Sequence, residues 1–214
     1  MSRVPALTLA CARVLCCAQI CVSNASFSQR DNFLDMDWES AQRTFEVTQF
    51  GAMHVCQFAA RQMVAQGDMP ADRPGTYKIV LISSVMADLP HLIPSSFSYN
   101  MAKASLDALC KSMASGMAQH SITVNAVHPG WIDTRGEREF TNSEDMRLMA
   151  RHLPFGIGQP ADVAKGACFL ASADADYITG STLTIDGGFS VAQRIPQLHE
   201  PIICAREPIH PVDD

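Results

Sequence analysis

The sequence predicts an α/β fold built on a mainly parallel sheet. Three observations carry this: strand-like runs alternate with segments of helical period, the inner runs are apolar without polar alternation, and no internal repeat breaks the order. Strands that read as unbroken apolar runs are those covered by helices on both faces. The chain of 214 residues, 47% hydrophobic and 18% charged, is long enough for one sizeable core.

The elements follow in order. Residues 19–23 (QICVS) are short, apolar and partly β-branched, as a buried strand is, and they run into the polar, turn-rich stretch 24–32. From Asp37 the period becomes helical: Trp38, Ala41, Phe45, Gly51 or Met53, Val55, Phe58 and Met63 recur at three or four residues, with Asp37 as N-cap and Gly67 as stop. A bend is expected near Gly51. Residues 69–75 (MPADRPG) form a turn cluster, and 77–83 (YKIVLIS) a second strand covered on both faces. Helical spacing returns over 98–119, with Leu106, Leu109, Met113 and Met117 on one side. Residues 121–127 (SITVNAV) form a strand ending at Pro129-Gly130, and the polar segment 135–151 contains a short helix. A helix over 161–171 and a strand over 181–185 (STLTI), closed by Gly187-Gly188, complete the domain. Pro196, Pro201, Pro208 and Pro211 with mixed charge predict an extended tail over 193–214.

Composition excludes several functions. A net charge of −6 and a pI near 5.6 provide no basic field for nucleic acid or anionic lipid. The eight Cys (11, 16, 17, 21, 56, 110, 168, 204) include no CxxC pair, and several lie in apolar runs such as 166–170, which reads as buried reduced thiols in a cytoplasmic setting, with no metal site. Residues 1–12 carry Arg3 and end Ala-Cys-Ala, faintly like a secretory signal, but the apolar stretch is only about seven residues and contains Pro5. Residues 1–17 are therefore a segment outside the domain. Arg13 and Gln19 interrupt a run that would need about 20 apolar residues to span a membrane.

Four motifs now stand in order: Ser84, Tyr99 with Lys103 (YNMAK), VNAVHPGWIDT at 124–134 and ITGSTLTIDGG at 178–188. A Tyr-x-x-x-Lys alone is weak evidence, because spacing without context recurs by chance. The ordered set, with VSNA at 22–25, resembles the short-chain dehydrogenase/reductase family over residues 18–192. That resemblance implies a Rossmann-like, doubly wound sheet, NAD or NADP as cofactor, and interconversion of an alcohol and a carbonyl on a small molecule: a sugar, a ketone or a 3-oxoacyl compound. It assigns catalysis to Ser84, Tyr99 and Lys103. The cofactor falls to Asn24, Tyr99, Lys103, Pro129, Gly130, Ile132 and Thr134, and Asn125 is left structural. It also implies a homo-oligomer, or association with relatives, through the helices over 37–67 and 98–119.

Physical reasoning supports the trio. Residues 99 and 103 share one helical face, and an ammonium beside a phenol should lower its pKa from about 10 toward working pH, making Tyr99 a general acid or base. Ser84 would donate to the substrate oxygen, with Ser83 as competitor for that role. The sequence also departs from the pattern. A dinucleotide fold opens with a Gly-rich turn, but the first Gly is Gly51, and relatives place roughly 60–80 further residues, two βα units and a strand, ahead of the first strand found here. The chain thus reads as N-terminally truncated, lacking the first βαβαβ portion. An exposed strand edge, poor solubility and weak cofactor binding are expected, and the choice between NAD and NADP is not readable. A second reading follows, in which the chain is non-catalytic and acts by association with a full-length relative. Thr48 stands where the family often has an Asn that supports a proton relay. The loop from Ser84 to Tyr99 is about two residues longer than usual and is stiffened by Pro90 and Pro94.

Overall fold

The computed structural model describes residues 17–30, 33–67, 76–89, 96–141 and 143–191. The turn cluster at 69–75, Pro90, Pro94, most of the leading segment 1–17, the tail 193–214, and Cys11, Cys16 and Cys204 lie outside the described residues.

Four strands, β1 (Ile20–Ser23), β2 (Tyr77–Ile82), β3 (Ile122–Pro129) and β4 (Thr182–Ile185), pair side by side in chain order and all in parallel. Each crossover runs through helix: α1 (Trp38–Thr44) leads through a π-helical segment, Phe45–Phe50, into α2 (Gly51–Gln66), and α3 (Phe97–Met117) joins β2 to β3. After β3 come α4 (Arg135–Phe140), α5 (Ser143–His152) and α6 (Pro160–Leu170). Alternate residues of β2 and β3 face opposite layers. Ile79, Leu81, Val124 and Ala126 pack on Cys56 and Met63 of α2 and on Leu106 and Cys110 of α3. Val80, Ile82 and Val127 pack on Leu170 of α6. All six residues of β2 are buried, Lys78 among them with its Nζ 2.6 Å from Asp176 Oδ1, and each large aliphatic side chain so removed from water contributes about 1.5–3 kcal/mol.

The first strand differs from expectation. β1 is not buried: it forms the edge of the described sheet, with Ile20 53% and Val22 45% exposed, because β2 covers one side of it and nothing described covers the other.

Local chemistry sets the helix ends. Asp37 accepts from the N–H groups of Glu39 and Ser40 at 3.3 and 3.1 Å, and Gly67 closes α2 with φ of 76°, a conformation Gly adopts without Cβ strain. The bend expected at Gly51 is a π-helical turn, with the Gly51 N–H reaching Glu46 O. The buried helix faces differ from the apolar period. Ala41, Thr44, Thr48, Ala52, Cys56 and Ala60 face the interior, while Trp38, Met53 and Val55 are exposed. On α3 the innermost residues are Ala102, Lys103, Leu106, Cys110 and Ala114, and Leu109, Met113 and Met117 are only partly covered. Small residues allow the close approach of helix to sheet, and the bulky ones are left on the flank. The thiols divide likewise: Cys56 and Cys110 are buried and free, whereas Cys17 and Cys168 are free but exposed, Cys168 because it lies on the outer side of α6.

Gly130 follows β3, and its N–H donates to Ile185 O at 3.0 Å. A Cβ at this position would lie 2.5 Å from Asp186 Cβ and 2.6 Å from its Cα. That overlap involves backbone, so relaxation is expensive. Gly130→Ala should lower stability by about 1–3 kcal/mol, read as a lower urea midpoint at unchanged slope.

Candidate active site

The C-terminal ends of β1, β2 and β3 open onto one crevice, the side on which sheets of this kind bind ligands. Two serines follow β2. Ser83, fully buried, donates its hydroxyl to Lys103 O at 3.0 Å, so its hydrogen is committed to the helix backbone. Ser84 accepts from the Met86 N–H at 3.1 Å and hydrogen-bonds the Tyr99 side chain. Of the two competitors, Ser84 is therefore the one paired with Tyr99.

Lys103 is 2% exposed, and its Nζ donates to Ile82 O at 2.7 Å, just ahead of the serines. It also lies 5.5 Å from the centre of the Tyr99 ring. Burial pushes the Lys103 amine down to about 8, with the Asp107 carboxylate, one turn further along α3, acting in the opposite sense. Tyr99 corrects an expectation. Its phenol is raised above the usual value rather than lowered: burial penalises the phenolate, Glu137 adds negative charge, and the hydrogen bond with Ser84 offsets only part of this. A phenol that keeps its proton beside a serine hydroxyl is arranged to give a proton to a carbonyl oxygen.

The other expected positions divide. Asn24 is exposed at the end of β1, and Thr134 Oγ1 accepts from the Glu137 N–H at 3.1 Å, capping α4. No hydrogen bond among the described residues ties either to Tyr99 or Lys103. Pro129 ends β3, Ile132 bridges to Gly158, and Gly130 lacks a side chain because Asp186 abuts it. Asn125 is structural, donating to Ile178 O at 2.8 Å and accepting from the Ser181 N–H at 3.1 Å. Thr48 is fully buried and both donates to and accepts from the backbone of Phe27 at 3.0 Å, which fixes the loop after β1 and leaves its hydroxyl no hydrogen for a relay. Pro90 and Pro94 lie outside the described residues. Among the described residues no three His, Cys, Asp or Glu side chains are grouped to hold a metal ion, and no helix is long and apolar enough to cross a membrane.

Lys103 bears on a nicotinamide cofactor directly. An ammonium has three donors, one reaches Ile82 O, and the other two have no partner among the described residues. Buried donors without partners match the hydroxyl groups of a bound ribose, so the donor set fits the group.

Sequence reasoning missed His128. Its Nε2 lies 2.9 Å from both oxygens of Asp107 on α3, and its Nδ1 lies 3.4 Å from Asp88 Oδ2, four residues after Ser84. The buried ring thereby ties β3 to the Tyr99 helix just ahead of Pro129-Gly130, with the exposed Asp88 beside its other nitrogen. A signal existed: Tyr99, Lys103 and Asp107 recur at four residues on one helical face, and His128 shares the strand face of Val124 and Ala126.

On the far flank, α2 and α3 enclose a groove of about 500 Å³ lined by Met53, Val64, Leu109, Met113 and Met117, with Arg61 at its side.

A family profile described as Enoyl-(Acyl carrier protein) reductase matches residues 8–190. The chain is 36% identical over 176 residues to L-rhamnose 1-dehydrogenase (NAD(P)(+)) of Sphingomonas sp. (strain SKA58), covering 80% of this chain and 65% of that protein. It is 33% identical over 176 residues to D-erythrulose reductase of Gallus gallus, covering 81% and 68%. Among solved structures, gluconate 5-dehydrogenase from Burkholderia cenocepacia J2315, in complex with NADP and tartrate, superposes with a TM-score of 0.77 at 28% identity over 87% of this chain and 70% of that one. The chain thus spans about two thirds of the length of the relatives it matches.

The Lys103 environment has a measurable signature. Its folded pKa lies below the unfolded value of 10.5, so below about pH 8 the fold carries the full penalty of a buried cation, and that penalty is relieved as pH rises from 8 toward 10.5. Lys103→Met removes the titration. The stability difference, wild type minus Lys103→Met, should therefore increase between pH 8 and 10 in urea melts, and a flat difference would contradict the burial of this amine.

Proposed function

This chain belongs to the short-chain dehydrogenase/reductase family, and we propose that it is an NAD(P)-dependent oxidoreductase interconverting an alcohol and a carbonyl on a small molecule: a sugar, a ketone or a 3-oxoacyl compound. The observation that carries this reading is the convergence of Ser84, Tyr99 and Lys103 at the end of β2. The names of two relatives, a rhamnose dehydrogenase and an erythrulose reductase, support a sugar-like substrate.

Each residue has a part. Ser84 and Tyr99 hold the substrate oxygen by hydrogen bonds, and Tyr99 gives up or recovers a proton at that oxygen. Lys103, fixed by Ile82 O, holds the cofactor through its two remaining donors and opposes charge build-up on Tyr99. Asn24, Pro129, Gly130, Ile132 and Thr134 flank the cofactor along the strand ends. When bound, the nicotinamide supplies or accepts the hydride. The reading places the enzyme in the cytoplasm.

The apolar groove between α2 and α3, flanked by the exposed Met53, Val55 and Val64, favours association through this face, with a second copy of the chain as the partner. The same face would serve the second reading, in which the chain acts by binding a longer relative.

Two experiments follow. Tyr99→Phe should lower ketone reduction with NADPH or NADH by about 10²–10⁴-fold while fluorescence titration shows cofactor binding unchanged, and equal turnover would sink the mechanism. Met113→Glu places a charge in the groove and should convert the oligomer to monomer by light scattering, without loss of the secondary-structure signal.

A further inference from the structure

Besides setting a negative charge near Tyr99, Glu137 belongs to a cluster with contacts of its own. Arg30, in the loop after β1, donates through Nη2 to Glu137 Oε1 at 3.0 Å and to Thr141 Oγ1 at 3.3 Å. Thr141 in turn donates to the same Glu137 oxygen at 2.7 Å. The two residues come from opposite sides of the crevice, one after β1 and one on α4 after β3, and are 107 positions apart in sequence.

Both donors converge on Oε1. The second carboxylate oxygen, Oε2, has no hydrogen-bond partner among the described residues, and the side chain is 26% exposed. Glu137 also lies close enough to Tyr99 for its charge to act on the phenol. A carboxylate oxygen accepts hydrogen bonds and donates none, so an open Oε2 selects for a hydroxyl and against another carboxylate.

We propose that Glu137 reads the substrate: Oε2 accepts a hydroxyl hydrogen of a neutral hydroxyketone or sugar whose carbonyl lies at Tyr99, and it disfavours keto acids. This rests on the oxidoreductase reading and narrows it to neutral hydroxylated compounds. Arg30 and Thr141 are positioning residues, since they occupy Oε1 and leave Oε2 open.

The orientation makes a sharp test. In Glu137→Gln the hydrogen bonds from Arg30 and Thr141 retain the amide oxygen, which leaves the NH₂ group facing the crevice. That group donates, so the preference for a hydroxyl should be largely lost. Purified chain with NADPH would be assayed against hydroxyacetone and pyruvate, two three-carbon ketones that differ in a hydroxyl or a carboxylate beside the carbonyl. Wild type should favour hydroxyacetone in kcat/KM by roughly tenfold or more, and Glu137→Gln should shift that ratio toward pyruvate by roughly tenfold. An unchanged ratio in Glu137→Gln overturns the proposal.

Saturation-transfer NMR of the same two ketones keeps the proposal separate from the oxidoreductase reading. If no turnover occurs, or turnover survives Tyr99→Phe, the oxidoreductase reading fails. The Glu137 proposal is then decided by whether Glu137→Gln shifts the relative NMR signals from hydroxyacetone toward pyruvate, and unshifted signals overturn it.

Discussion

Keeping the Lys103 amine in the interior is the demand around which the crevice end of this fold is arranged. A cation out of water is unfavourable by several kcal/mol unless its neighbours compensate, and here one backbone carbonyl, Ile82 O, meets it directly. Its surroundings are shaped by that contact. Ser83 anchors the Lys103 carbonyl, which fixes the depth of the helix against the strand, and Asp107 adds a negative charge one turn away. The same burial leaves the phenol of Tyr99 protonated. One act of desolvation thus weakens the hold of the amine on its proton and strengthens that of the phenol, drawing two groups with ordinarily similar pKa values apart.

The sheet provides the precision this requires. Because β2 and β3 are packed on both faces, their register is fixed from each side, and the residues that follow them emerge at defined heights. The helices gain access to the sheet through small side chains such as Ala52, Ala60, Ala102 and Ala114. The bulky residues left on the flank then form the apolar groove, so tight internal packing and the groove share a single origin.

Much of this was legible in the sequence. The alternation of runs predicts the parallel order of strands, and the ordered motifs predict that Ser84, Tyr99 and Lys103 meet. What was not legible depends on distance and depth. Weighting large apolar residues placed Trp38 and Met53 inside, whereas the interior is lined by Ala and Thr, whose burial no hydropathy period emphasises. The shift of Tyr99 was read with the wrong sign because an adjacent ammonium is visible as i, i+4 spacing but desolvation is not. Thr48 reaches a backbone 21 residues away, and Arg30 meets Glu137 across the whole crevice. No local pattern encodes either contact.

His128 has one further consequence. A buried ring held between Asp107 and Asp88 joins a helix, a strand and a loop, and each of the three carries a different part of the site. Replacing His128 or Asp107 strands a covered polar partner, so those two positions are not free to drift separately, whereas Asp88 faces water. Across descendants of this chain His128 and Asp107 should change together or not at all, which makes the pair a marker for the lineage in which β3 is fastened to the Tyr99 helix in this way.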